Sequence, residues 1–375
     1  MMSNLTAMIE DNSTSNASND PTSRTGTSLY SIPLTTKTVM TSAYTIAFIL
    51  GLLGNGLGLF IVIKRSRKSF CSTNVLIGNM ALADLLVTVF AMPQSVGFLY
   101  IQNKWFGGIA GNMACKLAHF PYVVTIAASI LTILCISIER YCAVFYLLRN
   151  SIFRRSKFLT ALIWGFSLAL ASPYLFSYTV TQDTNGQHYC VVEWGDIETT
   201  YQSQRIYYLF IFIFLYALPL IFISVLYTLI ARKLWRKTTP RDGTIATRKS
   251  AVTQKRKVIR LLIVLVIVFA ACAAPAHIMH YYMFYDQANW MVIPIEIKLI
   301  SFWISQSNST INPAIYILLN ESFRREFFRL TQSAMCLQNS AFRVSSTKTT
   351  KRTWKMKRTM STRYWMPGKK REACL

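Results

Sequence analysis

Long apolar segments alternate with short polar stretches along most of this chain. Each apolar segment has the ~20 residues that a helix rising about 1.5 Å per residue needs to cross a hydrocarbon layer of ~30 Å. The connections are short, except for 181–204 and 236–257. This pattern predicts an all-α membrane protein, a seven-transmembrane helix bundle. The predicted spans are 41–63, 75–100, 113–145, 158–180, 205–235, 258–285 and 291–319.

The third segment carries a polar stripe within its apolar sequence. Its members follow one another by three or four residues and therefore share one helical face. Polar groups at membrane depth normally turn toward other helices rather than toward lipid. We therefore predict that this segment is the central helix of the bundle. The stripe consists of Tyr122, Thr125, Ser129, Ile133, Ile136 and Arg140.

Composition and charge also indicate a membrane protein. Hydrophobic residues make up 53% of the sequence and charged residues only 15%. The net charge is +25, but 34 of the 40 Lys and Arg fall in 64–73, 140–157, 232–260 and the stretch from 324 onward. This asymmetry predicts that these stretches face the cytosol and that the chain is a multi-pass membrane protein with its amino terminus outside. No nucleic-acid partner is expected, because the charge lies in loops between spans.

The segment before the first span has a different composition. Residues 1–38 are rich in Ser, Thr and Asn and poor in apolar residues, which is typical of disordered segments. They are predicted to form an extracellular tail. Glycosylation sequons occur in it at Asn4, Asn12 and Asn16. Residues 39–319 form the predicted transmembrane domain.

The segment after the seventh span is amphipathic. In 320–331, Phe323 and Phe327 share one helical face and arginines occupy the other, which predicts a short interfacial helix on the inner leaflet. Residues 332–375 form a predicted basic cytoplasmic tail, in which Cys336 is a candidate palmitoylation site. Both features predict contacts with membrane lipids.

The cysteines predict one disulfide. Of the eight in the chain, only Cys115 and Cys190 are predicted to lie on the outer, oxidising side of the membrane. One extracellular bridge is the simplest interpretation. Cys135, Cys142 and Cys272 lie within apolar spans or at their ends, where a thiol behaves as a small apolar group.

Short motifs in consecutive spans carry a resemblance. They are Gly54-Asn55, Leu82-Ala83-Asp84, Glu139-Arg140-Tyr141, Trp164, Pro219, Tyr227, Phe269, Cys272, Pro275 and Asn312-Pro313-Ala-Ile-Tyr316. Over roughly residues 41–330 the chain therefore resembles a rhodopsin-like (class A) G-protein-coupled receptor. The resemblance implies a conformational switch that activates heterotrimeric G proteins, arrestin as a further partner, and no enzymatic activity.

The resemblance places a switch at the inner ends of the spans. Glu139 would pair with Arg140 in the inactive state, and Arg140 would move toward Tyr227 and Tyr316 on activation. The same implied switch includes Tyr141, Asn312 and Pro313. Lys255 occupies the position where many members carry a second acidic partner for this arginine, so that lock is expected to be missing.

An activation core is implied in the membrane interior, formed by Ile130, Pro219 and Phe269. Ala273 stands where the family usually has a tryptophan. We therefore expect a void at this position unless neighbours fill it. The three core residues would then carry more of the coupling.

Asp84 lies near the middle of an apolar run, where an unpaired charge costs at least ~2.5 kcal/mol. With Ser129, Asn308 and Asn312 it resembles the family's sodium pocket, in which hard oxygen ligands hold a small cation. Sodium would act as an allosteric ligand that favours the inactive state, and no other cofactor is expected. A hydrogen-bonded polar core without an ion is the alternative.

Two positions exclude familiar ligand classes. Tyr122 stands where amine receptors carry an aspartate, and Gln306 stands where opsins carry the retinal-binding lysine. Trp105-Phe106-Gly107 and the long second outer loop resemble receptors for amidated peptides such as neuropeptide Y, neuropeptide FF and orexin. Acidic residues in the outer loops favour a cationic peptide. The predicted ligand-binding residues are Gln94, Tyr122, Glu193, Trp194, Asp196, His277, Asp286 and Gln306.

Two alternatives remain at this point. Ala273 and Lys255 depart from the family pattern, which favours a same-fold receptor for a lipid or other small molecule, or a receptor that is active without a ligand. A transporter or channel would instead show substrate flux or current and no need for Arg140.

Overall fold

The computed structural model describes residues 32–66, 72–146, 156–195, 197–236, 245–319, 323–329 and residue 332. The predicted sites at Asn4, Asn12, Asn16, Asp196 and Cys336 lie outside these residues and stay predictions. The side chain of Lys255 also lies outside what the structure describes.

The described part of the chain contains the seven long helices that the apolar pattern predicts. The first, third, sixth and seventh are continuous, and the second, fourth and fifth are each built from two helical segments. Their bounds are Leu34–Ser66; Ser72–Leu86 and Met92–Ile101; Gly108–Phe145; Ser156–Ala171 and Pro173–Ser177; Ile197–Phe212 and Leu218–Arg236; Ile245–Tyr285; and Ile295–Leu319. Residues 323–329 are also helical and lie inside the predicted amphipathic segment 320–331.

Several helices extend beyond the predicted apolar windows. The sixth begins at Ile245 rather than 258, because its inner turns are rich in Lys and Arg, which favour a helix without being apolar. The first begins at Leu34, so the predicted tail 1–38 overlaps it. The fourth was predicted to reach 180, but it ends at Ser177 and the chain continues as a strand.

Six of the helices are long and apolar enough to cross a membrane by length and composition. The seventh, Ile295–Leu319, carries a polar run in its middle. Gln306, Ser309 and Asn312 within that run are buried in the bundle. The polarity of this helix therefore reflects groups that face other helices rather than lipid.

The third helix is central, as its polar stripe predicted. Five of the six stripe residues are buried and Arg140 is half-buried. The helix contacts the second, fourth, fifth and sixth helices. On the outside of the bundle, large apolar side chains are exposed, as expected for a surface that faces lipid. Examples are Ile46, Phe60, Phe166, Phe222 and Ile267.

The first and seventh helices approach closely at Gly54. A Cβ atom at this position would lie 2.9 Å from both Cβ and Cγ of Pro313, which is closer than carbon atoms normally pack. A glycine is therefore required for this contact. The contact places the first helix beside the polar part of the seventh.

An antiparallel sheet of three strands covers the outer end of the bundle, in the order β1 (Lys104–Trp105), β3 (His188–Val192), β2 (Tyr178–Gln182). Asp183 stabilises the β2–β3 turn, because its Oδ1 accepts hydrogen bonds from the backbone N–H groups of Asn185 and Gln187. Cys190 on β3 is bonded to Cys115 on the third helix, with the two Cα atoms 5.7 Å apart. The predicted disulfide is thus confirmed, and it fixes the hairpin over the third helix.

Candidate functional site

A cavity of about 280 Å³ lies under the hairpin between the second, third and seventh helices. Three predicted ligand-binding residues line it: Gln94, Tyr122 and Gln306. The Nε2 of Gln306 donates a hydrogen bond to Oγ of Ser95 at 2.8 Å. A π-helical turn at Val87–Ala91 precedes this part of the second helix. Because such a turn adds a residue, it rotates the following side chains by roughly 100° relative to a regular helix.

A second cavity, of about 80 Å³, lies deeper between the third, fifth, sixth and seventh helices. It shares Tyr122 and Gln306 with the first cavity and adds the predicted residue His277. The imidazole of His277 lies beside Tyr208, with Nδ1 3.1 Å from the tyrosine hydroxyl. The two cavities therefore meet at two side chains that were predicted to bind the ligand.

The deeper cavity includes the space beside Ala273. Ile130 and Phe269 of the predicted activation core line it as well. Pro219, the third member, is buried just beyond the π-helical turn Ile213–Ala217 of the fifth helix. The expected void at Ala273 is therefore present, and two of the three core residues border it.

The predicted acidic residues of the outer loops lie elsewhere. Glu193 is exposed, and its backbone N–H donates to the carbonyl of Ser177. Asp286 caps the short helix Gln287–Val292, because its carboxylate accepts hydrogen bonds from the backbone and side chain of Asn289. Neither residue lines the two cavities. Their ligand-binding roles stay predictions, and Asp286 has a structural role that its charge did not reveal.

Trp194 lies on the other side of the hairpin. It borders a small cavity of about 40 Å³ between the hairpin and the fifth and sixth helices. Its ring lies 6.1 Å from that of Tyr207, centre to centre. Trp194 is thus placed beside the outer bundle rather than in the larger cavities.

The described residues that line the two larger cavities include no carboxylate, ammonium or guanidinium group. Their polar members are amides, hydroxyls and the imidazoles of His119, His277 and His280. An apolar cavity without fixed charge cannot compensate the desolvation of a charged ligand group. The part of a ligand that enters these cavities is therefore expected to be neutral.

His119 was missed by the sequence analysis. It lies one turn after Cys115, and its Nδ1 is 2.9 Å from the Cys115 carbonyl oxygen. Its ring stacks on Tyr178 of β2, with the centres 4.0 Å apart. Cys115, His119 and Cys190 cluster closely, but the two sulfurs are joined and offer no thiolate for a metal. A polar residue four positions after Cys115 was the available signal.

Asp84 is 1% exposed, deep between the second, third and seventh helices. Its Oδ2 accepts a hydrogen bond of 2.8 Å from Nδ2 of Asn312. The hydroxyls of Ser129 and Ser309 also lie close to the carboxylate. Oδ1 of Asp84 and Oδ1 of Asn308 have no hydrogen-bond partner among the described residues.

This oxygen cluster tests the predicted sodium pocket. Oxygen atoms are the hard ligands that a small cation prefers, and one oxygen of the buried carboxylate, Oδ1 of Asp84, has no hydrogen-bond partner among the described residues. Of the predicted residues, Ser129 and Asn312 lie at the carboxylate, and Ser309 joins them without having been predicted. Asn308 lines the same cavity as Ser129 and Ser309. Asn55 holds the seventh helix in place, since its Nδ2 donates to the carbonyl of Ser309 at 2.9 Å. The residues present therefore fit a sodium ion.

The inner switch residues lie together at the other end of the third helix. Nη2 of Arg140 is 4.0 Å from Oε2 of Glu139, so the two predicted partners form a long ion pair. That this pair holds the inactive state stays a prediction. The hydroxyl of Tyr227 lies 2.9 Å from Oγ of Ser137. The hydroxyl of Tyr316 donates to the sulfur of Met80 at 3.1 Å. Both tyrosines thus have partners other than Arg140 here.

The neighbouring switch residues are also in contact with the core. Tyr141 stacks on Phe145, with ring centres 4.4 Å apart. Pro313 packs against the first helix at Gly54, and Asn312 bonds Asp84. The seventh helix therefore links the Asp84 cluster to the inner switch through consecutive residues.

Comparisons with known proteins agree with this architecture. The model of the 7 transmembrane receptor (rhodopsin) family matches residues 54–316. Galanin receptor 2a of Danio rerio is 30% identical over 292 residues, which are 77% of this chain and 77% of that receptor. The QRFP-like peptide receptor of Branchiostoma floridae is 30% identical over 312 residues, 78% of this chain and 77% of that receptor. The tachykinin-like peptides receptor 86C of Drosophila melanogaster is 29% identical over 310 residues, 80% of this chain and 60% of that receptor.

The names of these three relatives do not include neuropeptide Y, neuropeptide FF or orexin. The predicted resemblance to receptors for those peptides therefore stays a prediction. The family match runs from the first helix to the seventh and covers well over half of the chain. It includes the disulfide, the Asp84 cluster and the Arg140 pair. The chain therefore belongs to the rhodopsin family of seven-transmembrane receptors.

Proposed function

We propose that this protein is a plasma-membrane receptor for an extracellular peptide and that it activates heterotrimeric G proteins by a conformational switch. The observation that carries this proposal is the 280 Å³ cavity under a hairpin that is covalently tied to the third helix. The same helix ends in the Glu139–Arg140 pair. The names of the similar receptors support a peptide as the ligand.

We propose further that the peptide is amidated and cationic, with its neutral end in the cavities and its charge at the mouth. The uncharged lining supports a neutral end, because a free terminal carboxylate would find no cation there. Glu193 is exposed beside the hairpin and is available to a basic side chain of the ligand. Asp196 is expected to add to this acidic mouth.

In the proposed switch, ligand binding loosens the Glu139–Arg140 pair. Arg140 then moves toward Tyr227 and Tyr316, whose hydroxyls exchange their present partners for it. The movement opens a cavity between the inner ends of the helices for a G-protein helix. Arrestin is the proposed partner of the same activated surface.

We propose that sodium, when bound, sits at Asp84, with Ser129, Asn308 and Asn312 as its other ligands. The ion would supply a positive charge that holds the second, third and seventh helices in the inactive arrangement. The unpartnered oxygens of Asp84 and Asn308 support this assignment. The alternative is a polar core in which these groups only bond one another.

A second candidate function is a receptor for a small neutral molecule or lipid. The uncharged, largely apolar lining of both cavities favours it, since such a ligand would need no acidic mouth. A receptor with high activity in the absence of ligand is the related possibility.

The experiment is a G-protein activation assay in cells, with a panel of amidated peptides and their free-acid counterparts. Arg140→Ala should abolish the response, whereas Arg260→Ala serves as the matched control because Arg260 is an exposed inner-end arginine of the sixth helix. Neutralising Glu193 should weaken the response to an Arg-containing peptide more than the response to a peptide without a basic residue. Silence across the panel with strong basal signalling that needs Arg140 would instead favour the second candidate.

A further inference from the structure

The inner ends of the third and fifth helices are joined by a side chain that has no part in the switch described above. Lys233 lies in the last turn of the fifth helix. Its Nζ donates a hydrogen bond to the carbonyl oxygen of Phe145 at 3.3 Å. The same Nζ lies 4.0 Å from the centre of the Phe145 ring. One lysine of the fifth helix therefore contacts both the backbone and the ring of a residue on the third helix.

Phe145 is the last residue of the third helix. Carbonyl groups in the last turn of a helix have no partner within that helix, and the helix dipole places partial negative charge there. An ammonium group is a favourable partner for such a helix end. The aromatic ring attracts the same cation through its negative face. Lys233 thus stabilises the inner end of the third helix against the fifth in two ways.

The contact reaches the switch through one stacked pair of rings. Tyr141 directly follows Arg140 in the sequence and stacks on Phe145, with the ring centres 4.4 Å apart. Lys233, Phe145 and Tyr141 therefore form a continuous line of contacts from the fifth helix to the residue beside Arg140.

A second bond joins the same two helices closer to the middle of the membrane. The hydroxyl of Tyr227 lies 2.9 Å from Oγ of Ser137, and both residues are buried. Along the third helix, Arg140 lies between Ser137 and Phe145. The third and fifth helices are therefore connected on both sides of Arg140.

The proposed switch breaks the first of these connections, because Tyr227 exchanges Ser137 for Arg140. Lys233 follows Tyr227 by six residues, which is about 9 Å along the same helix. A displacement of Tyr227 against the third helix therefore displaces the base of Lys233 as well. The 3.3 Å bond to Phe145 is already long, so a further separation of about 0.5 Å would end it. The contact favours the arrangement in which Tyr227 stays with Ser137.

We infer that Lys233 is a positioning residue for the switch: it holds the last turn of the third helix against the fifth and thereby restrains Arg140 in the inactive arrangement. This inference rests on the proposed function and names a restraint within it. Lys255 stands where many members of the family carry a second acidic partner for Arg140, so a lock to the sixth helix is not expected. The contact at Phe145 takes over part of that restraint. Its loss shifts the resting equilibrium toward the active state.

The test measures GTPγS exchange on a panel of purified heterotrimeric G proteins, each mixed separately with the purified full-length receptor and without any ligand. Lys233→Met keeps a long side chain but removes its charge and its hydrogen-bond donors. This variant should raise the rate of basal exchange by roughly three- to tenfold, because one cation–π contact and one hydrogen bond of the inactive arrangement are lost.

Three further variants locate the effect. Lys233→Arg should rescue the restraint, because arginine keeps the charge, the donors and the attraction to the ring. Arg232→Met is the matched control, since Arg232 is the neighbouring exposed basic residue, and the same loss of charge there should not raise exchange. Phe145→Leu removes the ring but keeps the carbonyl, so it should raise exchange less than Lys233→Met.

Phe145→Leu also tests the contact from the third helix if Lys233→Met does not fold. Where both variants fold, combining them should raise exchange no further than Lys233→Met alone, because they remove one shared contact.

An unchanged or lower rate in Lys233→Met, an equal rise in Lys233→Arg, or an equal rise in Arg232→Met would each overturn the inference. These results count against the inference alone when wild-type exchange exceeds the receptor-free rate and is lost in Arg140→Ala. Exchange that stays at the receptor-free rate in the wild type and in every variant would overturn the proposed coupling to G proteins, and the inference with it.

Discussion

Replacing Asp84 by Asn tests whether the buried carboxylate is a cation ligand or only a member of a polar core. The two side chains have the same shape, so packing in this 1% exposed position is retained. The substitution removes the negative charge. Asn312 can rotate its amide to accept from the new Nδ2, so the bond between the second and seventh helices can be kept.

The magnitude follows from the contacts of the carboxylate. A charge at membrane depth costs about 2.5–3.5 kcal/mol, whereas a hydrogen bond to a charged group contributes about 1.5–3 kcal/mol. Asp84 has one such bond of 2.8 Å and two nearby hydroxyls, and among the described residues its Oδ1 has no hydrogen-bond partner. Without an ion, the free-energy cost of burying the Asp84 charge is therefore about equal to the contribution of its hydrogen bonds. Sodium at ten times its Kd would raise the free energy of unfolding by about 1.4 kcal/mol.

The assay is thermal unfolding of the purified receptor in sodium chloride and in choline chloride at equal ionic strength. Sodium should raise the Tm of the wild type by about 3–5 °C, and Asp84→Asn should lose this shift. Asp183→Asn controls for general salt effects, because Asp183 is an acidic residue of an exposed outer turn. If Asp84→Asn retains the full sodium shift, the carboxylate is not a ligand. If the wild type shows no shift, the ion-free polar core is correct.

Two further substitutions test the architecture. Gly54→Val should destabilise the receptor by about 1–3 kcal/mol, because its side chain would collide with Pro313. Gly56→Val is the control in the same helix, since a Cβ there meets nothing within 4 Å; equal losses of Tm would refute the close approach. Cys190→Ser should lower Tm and weaken ligand binding, because the bond to Cys115 closes a loop with a sequence separation of 75, worth at most about 4.5 kcal/mol in loop entropy. An unchanged Tm would mean that the hairpin is held by other contacts.

The third helix could be predicted because its signal is local, and the disulfide could be predicted because only two cysteines were expected on the outer side. The spacing of Tyr122, Ser129 and Arg140 is a helical period within one stretch, and burial of this face follows directly. Cys115 and Cys190 were the two cysteines predicted to lie outside, and the structure joins them. By contrast, Asp286 was predicted as a ligand-binding residue from its charge. Charge does not indicate whether a carboxylate faces a ligand or caps a helix, as Asp286 does.

The polar residues around Asp84 could be predicted only in part from the sequence. Asn308 and Asn312 were suggested by resemblance, but Ser309 was not, although it lies between them in the sequence and contacts the carboxylate. Which polar residues of the seventh helix turn toward Asp84 depends on how this helix is rotated against its neighbours. The contact at Gly54 and the hydrogen bond from Asn55 to the Ser309 carbonyl both bear on that rotation. Neither contact is visible along the chain.

The sequence by itself determined the number of spans, the stretches in which the basic residues collect, and the alanine at position 273 where the family usually has a tryptophan. Helix insertion depends on the length of apolar runs and on flanking charge, which are properties of consecutive residues. Only the tertiary structure decided that the two cavities meet at Tyr122 and Gln306 and that no charged side chain lines them among the residues that the structure describes. Which side chains from different helices converge depends on how each helix is rotated about its axis. A π-helical turn such as Val87–Ala91 changes this rotation because it adds a residue. The rotation is fixed only when the helices pack into the bundle.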